Sequence, residues 1–264
     1  MGLSEALLEL QDLTRRLRRD CPWDRQQTAR TIVPHTVEEA YEVADAAVGG
    51  RPEKLLDELG DLLFQVYFLA LLLEEEGHGD LEQVARIVHA KLVRRHPHVF
   101  GDAEARTAGR VRERWESIKR EQEGRDEIFH EVPEALPALL HARKVQRRAA
   151  AVGFEYPDVA GARADLEDEL RELAEVVDET GEPAPETEAD PNVFGEVGDV
   201  LFAAVNVARK LNVDPELALR SATQRFVERV DHADRLAAER GERWTELSLD
   251  DQGRYYDEAK ERLR

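Results

Sequence analysis

Two stretches of the chain, about half its length apart, carry the same pattern: DELGDLLFQVYFLA at residues 57–70 and FGEVGDVLFAAVNVA at residues 194–208. Their superposition puts Glu58 on Glu196, Gly60 on Gly198, Asp61 on Asp199 and Phe64 on Phe202, an offset of 138. Upstream, VEEAYEV meets EDELREL at an offset of 130, with Glu39 on Glu169 and Glu42 on Glu172. Downstream, DLEQVARIVHAKLVRR meets DPELALRSATQRFVER at an offset of 134, with Lys91 on Arg225 and Arg95 on Arg229. Matched segments without internal gaps, separated by connections of unequal length, describe one structural unit encoded twice, with the differences confined to loops.

The repeated unit reads as helical. Leu, Ala, Glu and Arg abound while aromatic residues make up 6% of the chain, which favours helix over sheet. Each copy contains a lead-in, a helix bearing EExxE or DExxE, a loop, an apolar helix that opens with acids, a third helix and a short last one. The expected fold is all-α, two tandem helical bundles at residues 1–129 and 130–264, divided in the Pro- and Gly-punctuated segment near residue 130. Residues 180–192, TGEPAPETEADPN, read as a long surface loop where the first copy has the shorter VGGRPEK.

A formal net charge of -20 argues against a nucleic-acid-binding surface, which needs clustered Lys and Arg. An acidic protein that handles phosphates requires cations in between. The longest apolar run, residues 62–73, is too short for a membrane span of about 20 residues. With Cys21 as the single cysteine and no leader-like opening, a reducing, cytoplasmic setting is expected.

Residues three apart share a helical face, so Glu39 with Glu42 and Glu58 with Asp61 form like-charged pairs that repel unless a cation joins them. On the first helix a surface reading is natural, and Thr36 with Glu39 makes a candidate capping box. The second helix differs. The face of Glu58 and Asp61 continues through Gln65, Phe68, Leu69 and Leu72, so acids lie on a face that becomes core. Carboxylates there are costly unless paired or ligating a metal, and an all-oxygen ligand set favours Mg²⁺ or Mn²⁺ over zinc. In the second copy the matching face carries Ala203, Asn206, Val207 and Lys210.

On the third helix Val84, Val88, Lys91 and Arg95 fall on one stripe, repeated as Ala218, Ala222, Arg225 and Arg229, so two cations are expected to continue an apolar face inward. The competing reading is that their stems lie over the bundle edge or pair with the acids. Trp115 with Lys119, and Tyr256 with Lys260, repeat an aromatic residue and a lysine one turn apart; base stacking, phosphate contact and plain helix packing all fit. Trp23 in CPWD and Phe154 in VGFEYP are candidates for a nucleobase contact or for anchoring a lead-in to the core. His96 and His98 in RRHPHVFGD, split by a proline and lacking a third ligand, read as a turn.

Taken together, CPWDRQQT, EExxE, ELGDLLFQV, RRHPHVFG, WExIK and GEVGDVLFAAVN resemble the MazG family, over nearly the whole chain. That resemblance implies an all-α nucleotide pyrophosphohydrolase fold, usually homodimeric, that cleaves NTP or dNTP to the monophosphate and pyrophosphate with Mg²⁺. It implies metal ligands at Glu39, Glu42, Glu58 and Asp61, and at Glu169, Glu172, Glu196 and Asp199. Phosphates would be held by Lys91, Arg95 and Lys119, and by Arg225, Arg229 and Lys260. Glu38 or Asp168, beside the ligand pairs, is a candidate general base. The copies depart from each other where Glu38 becomes Asp168, Lys91 becomes Arg225 and CPWD is missing, so their sites need not work equally well.

Two other readings use the same acids. A di-iron carboxylate bundle wants Glu-x-x-His motifs, and none occurs near Glu42 or Asp61. The alternative function is an acidic helical interaction module with one or both sites degenerate, which predicts no dependence on divalent cations and leaves the core-facing Lys91 and Arg95 hard to explain.

Overall fold

The computed structural model describes residues 2–101, 128–129, 132–181 and 188–263, and every regular element among them is helical. The chain divides into two compact units, Met1–Glu123 and Gly124–Arg264.

In the first unit the order is α1 (Leu3–Asp20), a 3₁₀ turn (Asp24–Gln26), α2 (Ala29–Val48), α3 (Pro52–Glu75), α4 (Leu81–Arg95) and the single turn α5 (Pro97–Phe100). Helix α2 begins well before the Thr36–Glu39 box expected from the sequence. Its capping box is formed by Thr28 and Thr31, and Thr36 lies inside the helix, where its hydroxyl donates to the Ile32 carbonyl and to Gln65 Oε1. The physical reason is that Ile32, 1% exposed, belongs to the buried face, so the helix must start early enough to present it. Only residues 49–51 separate α2 from α3, whose first position is the pre-organised Pro52.

Ile32, Phe68 and Leu72 form the core, with Phe64 and Leu69 packed against it. Glu58 and Gln65 are buried on the same α3 face, as their spacing predicts. Helix α1 is tied to the end of α3 by the pairs Arg15–Glu74 (2.8 Å) and Arg18–Glu75 (2.7 Å). Arg18 also donates to the carbonyls of Asp24 and Gln27, so one guanidinium fixes the CPWD turn against α3.

The second unit contains α6 (Ala138–Ala151), α7 (Val159–Thr180), α8 (Pro191–Lys210), α9 (Pro215–Glu239), a 3₁₀ turn (Trp244–Glu246) and α10 (Leu249–Arg262). Asp158, Asp190, Asp214 and Ser248 cap α7, α8, α9 and α10 by accepting from backbone N–H groups in each first turn. Helix α7 packs along α8 as α2 does along α3. Their connection runs from Gly181, at φ 73°, to the cap Asp190. Ala233, Leu236, Ala237, Tyr255 and Ala259 close α9 onto α10, against Trp244 and Leu247. Helix α6 is held by the ion pair Arg143–Asp214 and by the Gln146 amide, which donates to the Phe202 carbonyl at 2.7 Å.

Each unit leaves the same stripe of its acid-bearing apolar helix open. Leu56 (75% exposed), Leu59 and Leu63 on α3 correspond to Phe194 (76% exposed), Val197 and Leu201 on α8. Gly60 and Gly198 border these stripes, and among the described residues a Cβ at either would meet nothing beyond its own helix turn within 4 Å. No described helix is long and apolar enough to cross a membrane.

Candidate functional site

Packing α2 against α3 brings together three of the four acids singled out in the first copy. One carboxylate oxygen from each of Glu39, Glu58 and Asp61 lies within 4.8 Å of the others. Glu58 is 5% exposed, Glu39 half-buried and Asp61 exposed, so the cluster opens to solvent on one side. Burial, followed by the charges of Asp61, Glu58 and Glu38, pushes the Glu39 carboxyl above the ordinary glutamate range. The exposed Glu42 stands beside the cluster: its hydrogen bond with Glu58, and then the charge of Glu58, raise it as well. Lys54, one turn before Glu58, reaches it at 3.3 Å.

The second unit repeats the arrangement with α7 and α8. Oxygens of Glu169, Glu196 and Asp199 lie within 4.8 Å of one another. Glu169 is raised by burial first and then by Asp199, Glu172, Asp165 and Glu196. Asp165 is itself held by the Tyr156 hydroxyl, which donates to it at 2.6 Å.

Both clusters offer oxygen ligands alone, each from two helices, close enough together that they could hold one hard divalent cation apiece. Among the described residues they are the two groupings of at least three candidate ligand side chains, and His96 and His98 belong to neither. The two histidine rings lie 5.5 Å apart, and His96 Nδ1 is 2.6 Å from the Leu92 carbonyl, as befits a helix end.

The remaining residues lie as follows. Glu38 is exposed on α2 and pairs with His35 at 3.7 Å, while Asp168 is exposed and pairs with Arg171 at 2.8 Å; neither joins its cluster. Lys91, expected to continue the apolar face inward, is turned to solvent instead. No residue of α4 is buried: Lys91 is exposed, Val88 is 46% exposed and Arg95 half-buried. The stripe lies at the edge of its unit: Val84 and Arg95 are half-buried, with Arg95 Nε itself withdrawn from solvent, while Val88 and Lys91 are exposed. On α9, Arg225 is exposed and donates to Ser221 Oγ at 2.6 Å, while Arg229 is half-buried. Tyr256 packs its ring against Phe226 with centroids 5.8 Å apart, and Lys260 is exposed. Trp115 and Lys119 lie outside the described residues. Trp23, 51% exposed, meets His35 edge-on at 5.8 Å, and Phe154 is 83% exposed.

The sequence reading missed Lys54, His35 and Asp165. Each sits one helical turn before a cluster acid, at the i,i+4 spacing at which side chains meet, and that spacing was the available signal. Tyr156 carried no such signal, because it reaches Asp165 from a lead-in of irregular backbone.

Residues 27–100 match the family model described as the MazG nucleotide pyrophosphohydrolase domain. The chain is 38% identical over 254 residues to the nucleoside triphosphate pyrophosphohydrolase of Escherichia coli (strain K12), covering 95% of this chain and 94% of that protein. It is 39% identical over 242 residues to the nucleoside triphosphate pyrophosphohydrolase/pyrophosphatase MazG of Thermotoga maritima, covering 91% and 89% of the two. It is also 36% identical to the protein YabN of Bacillus subtilis (strain 168), over 91% of this chain and 48% of that one.

Proposed function

The chain belongs to the MazG nucleotide pyrophosphohydrolase family, and from that premise we propose that it hydrolyses nucleoside and deoxynucleoside triphosphates to the monophosphate and pyrophosphate, with Mg²⁺, in clearing the nucleotide pool. The observation that carries the reading is the pair of carboxylate clusters, each with three oxygens within 4.8 Å. Glu39, Glu58 and Asp61 would hold Mg²⁺, or Mn²⁺ in its place, in the first unit, and Glu169, Glu196 and Asp199 in the second. Glu42 and Glu172 would complete each set.

When bound, the ion supplies Lewis acidity and neutralises charge on the triphosphate. The protein's own groups do the rest. A water oriented by a carboxylate attacks phosphorus, the bond between the α and β phosphates breaks, and pyrophosphate leaves without a covalent enzyme intermediate. Glu38 and Asp168 are the candidate bases, although their exposed positions require substrate to approach from the open side. Lys91, Arg95 and Lys119, and Arg225, Arg229 and Lys260, would stabilise charge on the leaving group, with Trp115 and Tyr256 as the neighbouring aromatic faces.

The open stripes support a homodimer. Leu56, Leu59, Leu63 and Val66 follow the spacing of a helix–helix seam, and a second copy of the chain would cover them. The deciding experiment measures pyrophosphate and monophosphate release from a panel of NTPs and dNTPs, with Mg²⁺ and with EDTA. Matched, Mg²⁺-dependent release of both products is expected; a folded protein that turns over none of the panel would overturn the reading.

A further inference from the structure

The two clusters have the same ligands but different surroundings, and the differences point one way. In the first unit the ammonium of Lys54 stands 3.3 Å from Glu58, the most buried of its three acids. The matching position in the second unit, 138 residues on, is Asn192, which has no charge. One turn before Glu39 the first unit has His35, and the matching position before Glu169, 130 residues on, is Asp165. Asp165 is fixed there by the 2.6 Å hydrogen bond from Tyr156, whose ring also packs against Gly161 at a distance a Cβ would crowd. His35 instead meets Trp23 edge-on and Glu38 at 3.7 Å.

The geometry points to two cation sites of unequal strength in one chain, the α7–α8 site binding a divalent ion more tightly because Asp165 adds negative charge, the α2–α3 site more weakly because Lys54 competes for Glu58. This rests on the reading of the clusters as divalent-cation sites. Both effects are electrostatic and act at neutral pH. A divalent ion entering the first site must push aside or tolerate an ammonium already paired with a buried ligand. An ion entering the second finds an additional carboxylate at helical-neighbour distance and no resident cation at the Asn192 position. In this account Lys54 and Asp165 are positioning residues: neither is a member of the three-oxygen set, and each acts through the acid one turn away.

The test is direct Mn²⁺ binding to the intact, nucleotide-free chain, followed by the loss of the free-ion electron paramagnetic resonance signal, so turnover does not enter. Two classes of site are expected, differing by at least about tenfold in dissociation constant, given doubly charged ions a helical turn from single charges. Glu196→Gln should remove the tighter class and Glu58→Gln the weaker. Lys54→Met should tighten the weaker class by about fivefold, while Lys54→Arg leaves it unchanged; Asp165→Asn should weaken the tighter class by a similar factor. Equal affinities, loss of the tighter class on Glu58→Gln, or a weaker class indifferent to Lys54→Met would overturn the inference while leaving the cation sites standing. Absence of any bound Mn²⁺ would instead overturn the reading on which it rests.

Discussion

Replacing Glu58 by Gln should make the ion-free protein more stable and the Mg²⁺-loaded protein less so. Oxygens of Glu39, Glu58 and Asp61 lie within 4.8 Å of one another. At that separation two unit charges repel by about 0.9 kcal/mol at the dielectric of water and about 3.5 kcal/mol at an effective dielectric of about 20. Because Asp61 is exposed, the lower figure is the safer one, and Glu58→Gln removes two such repulsions. It also removes the partner of Lys54, whose side chain is 43% exposed, a loss of up to about 1 kcal/mol. The balance is a gain of about 1 kcal/mol in EDTA, read as a rise of about 4 °C in the first unit's melting temperature. Mg²⁺ at about 100 times the first site's dissociation constant should add about 2.7 kcal/mol to the first unit of the native protein and little to that of the variant. Calorimetric scans with EDTA and with Mg²⁺ should therefore rank the two proteins in opposite orders. A variant less stable in EDTA, or one that keeps the full Mg²⁺ increment in its first unit, would refute the reasoning.

Phe68→Ala, at a fully buried ring of the Ile32–Phe68–Leu72 core, should cost about 3–5 kcal/mol and separate α2 from α3, measured as a lower urea midpoint with loss of Mn²⁺ binding in the first unit. Burial pushes the Glu155 carboxyl up, but hydrogen bonds and charge from Lys210 and Arg209 outweigh it and hold the group below the ordinary glutamate range. A depressed carboxyl contributes stability above its unfolded pKa that is lost as pH falls through the folded value, so Glu155→Gln should lower the second unit's urea midpoint at pH 7 and narrow its difference from the native protein in acid. Gly60→Ala should raise helix stability by up to about 1 kcal/mol in a monomer, where among the described residues the new methyl meets nothing beyond its own helix turn, and weaken self-association by sedimentation if a second chain covers the stripe.

The helices and the acids were legible because helical periodicity writes both onto one face. Glu58, Gln65, Phe68 and Leu72 recur at intervals that put them on the buried side of α3, and the duplication repeated Glu58 and Asp61 as Glu196 and Asp199. The start of α2 was misread because Thr36 with Glu39 imitates a cap within a helix, and the tertiary contact of Ile32 decides how far the helix extends. Lys91 looked core-facing because periodicity reports which residues share a face; it cannot say whether the same unit covers that face. The clasp of Arg15 and Arg18 on Glu74 and Glu75 joins residues far apart in sequence, and no local pattern encodes it.

The connections between the acid-bearing helices give the proposed ions a mechanical meaning. Residues 49–51 join α2 to α3, whereas residues 181–190 join α7 to α8, so an ion held by both helices closes a ring of chain that is longer in the second unit. Such an ion acts as a removable crosslink, and closing the Glu169–Glu196 ring restricts the unfolded chain by about 0.3 kcal/mol more than closing the Glu39–Glu58 ring. Chelation then cuts a staple as well as emptying a site.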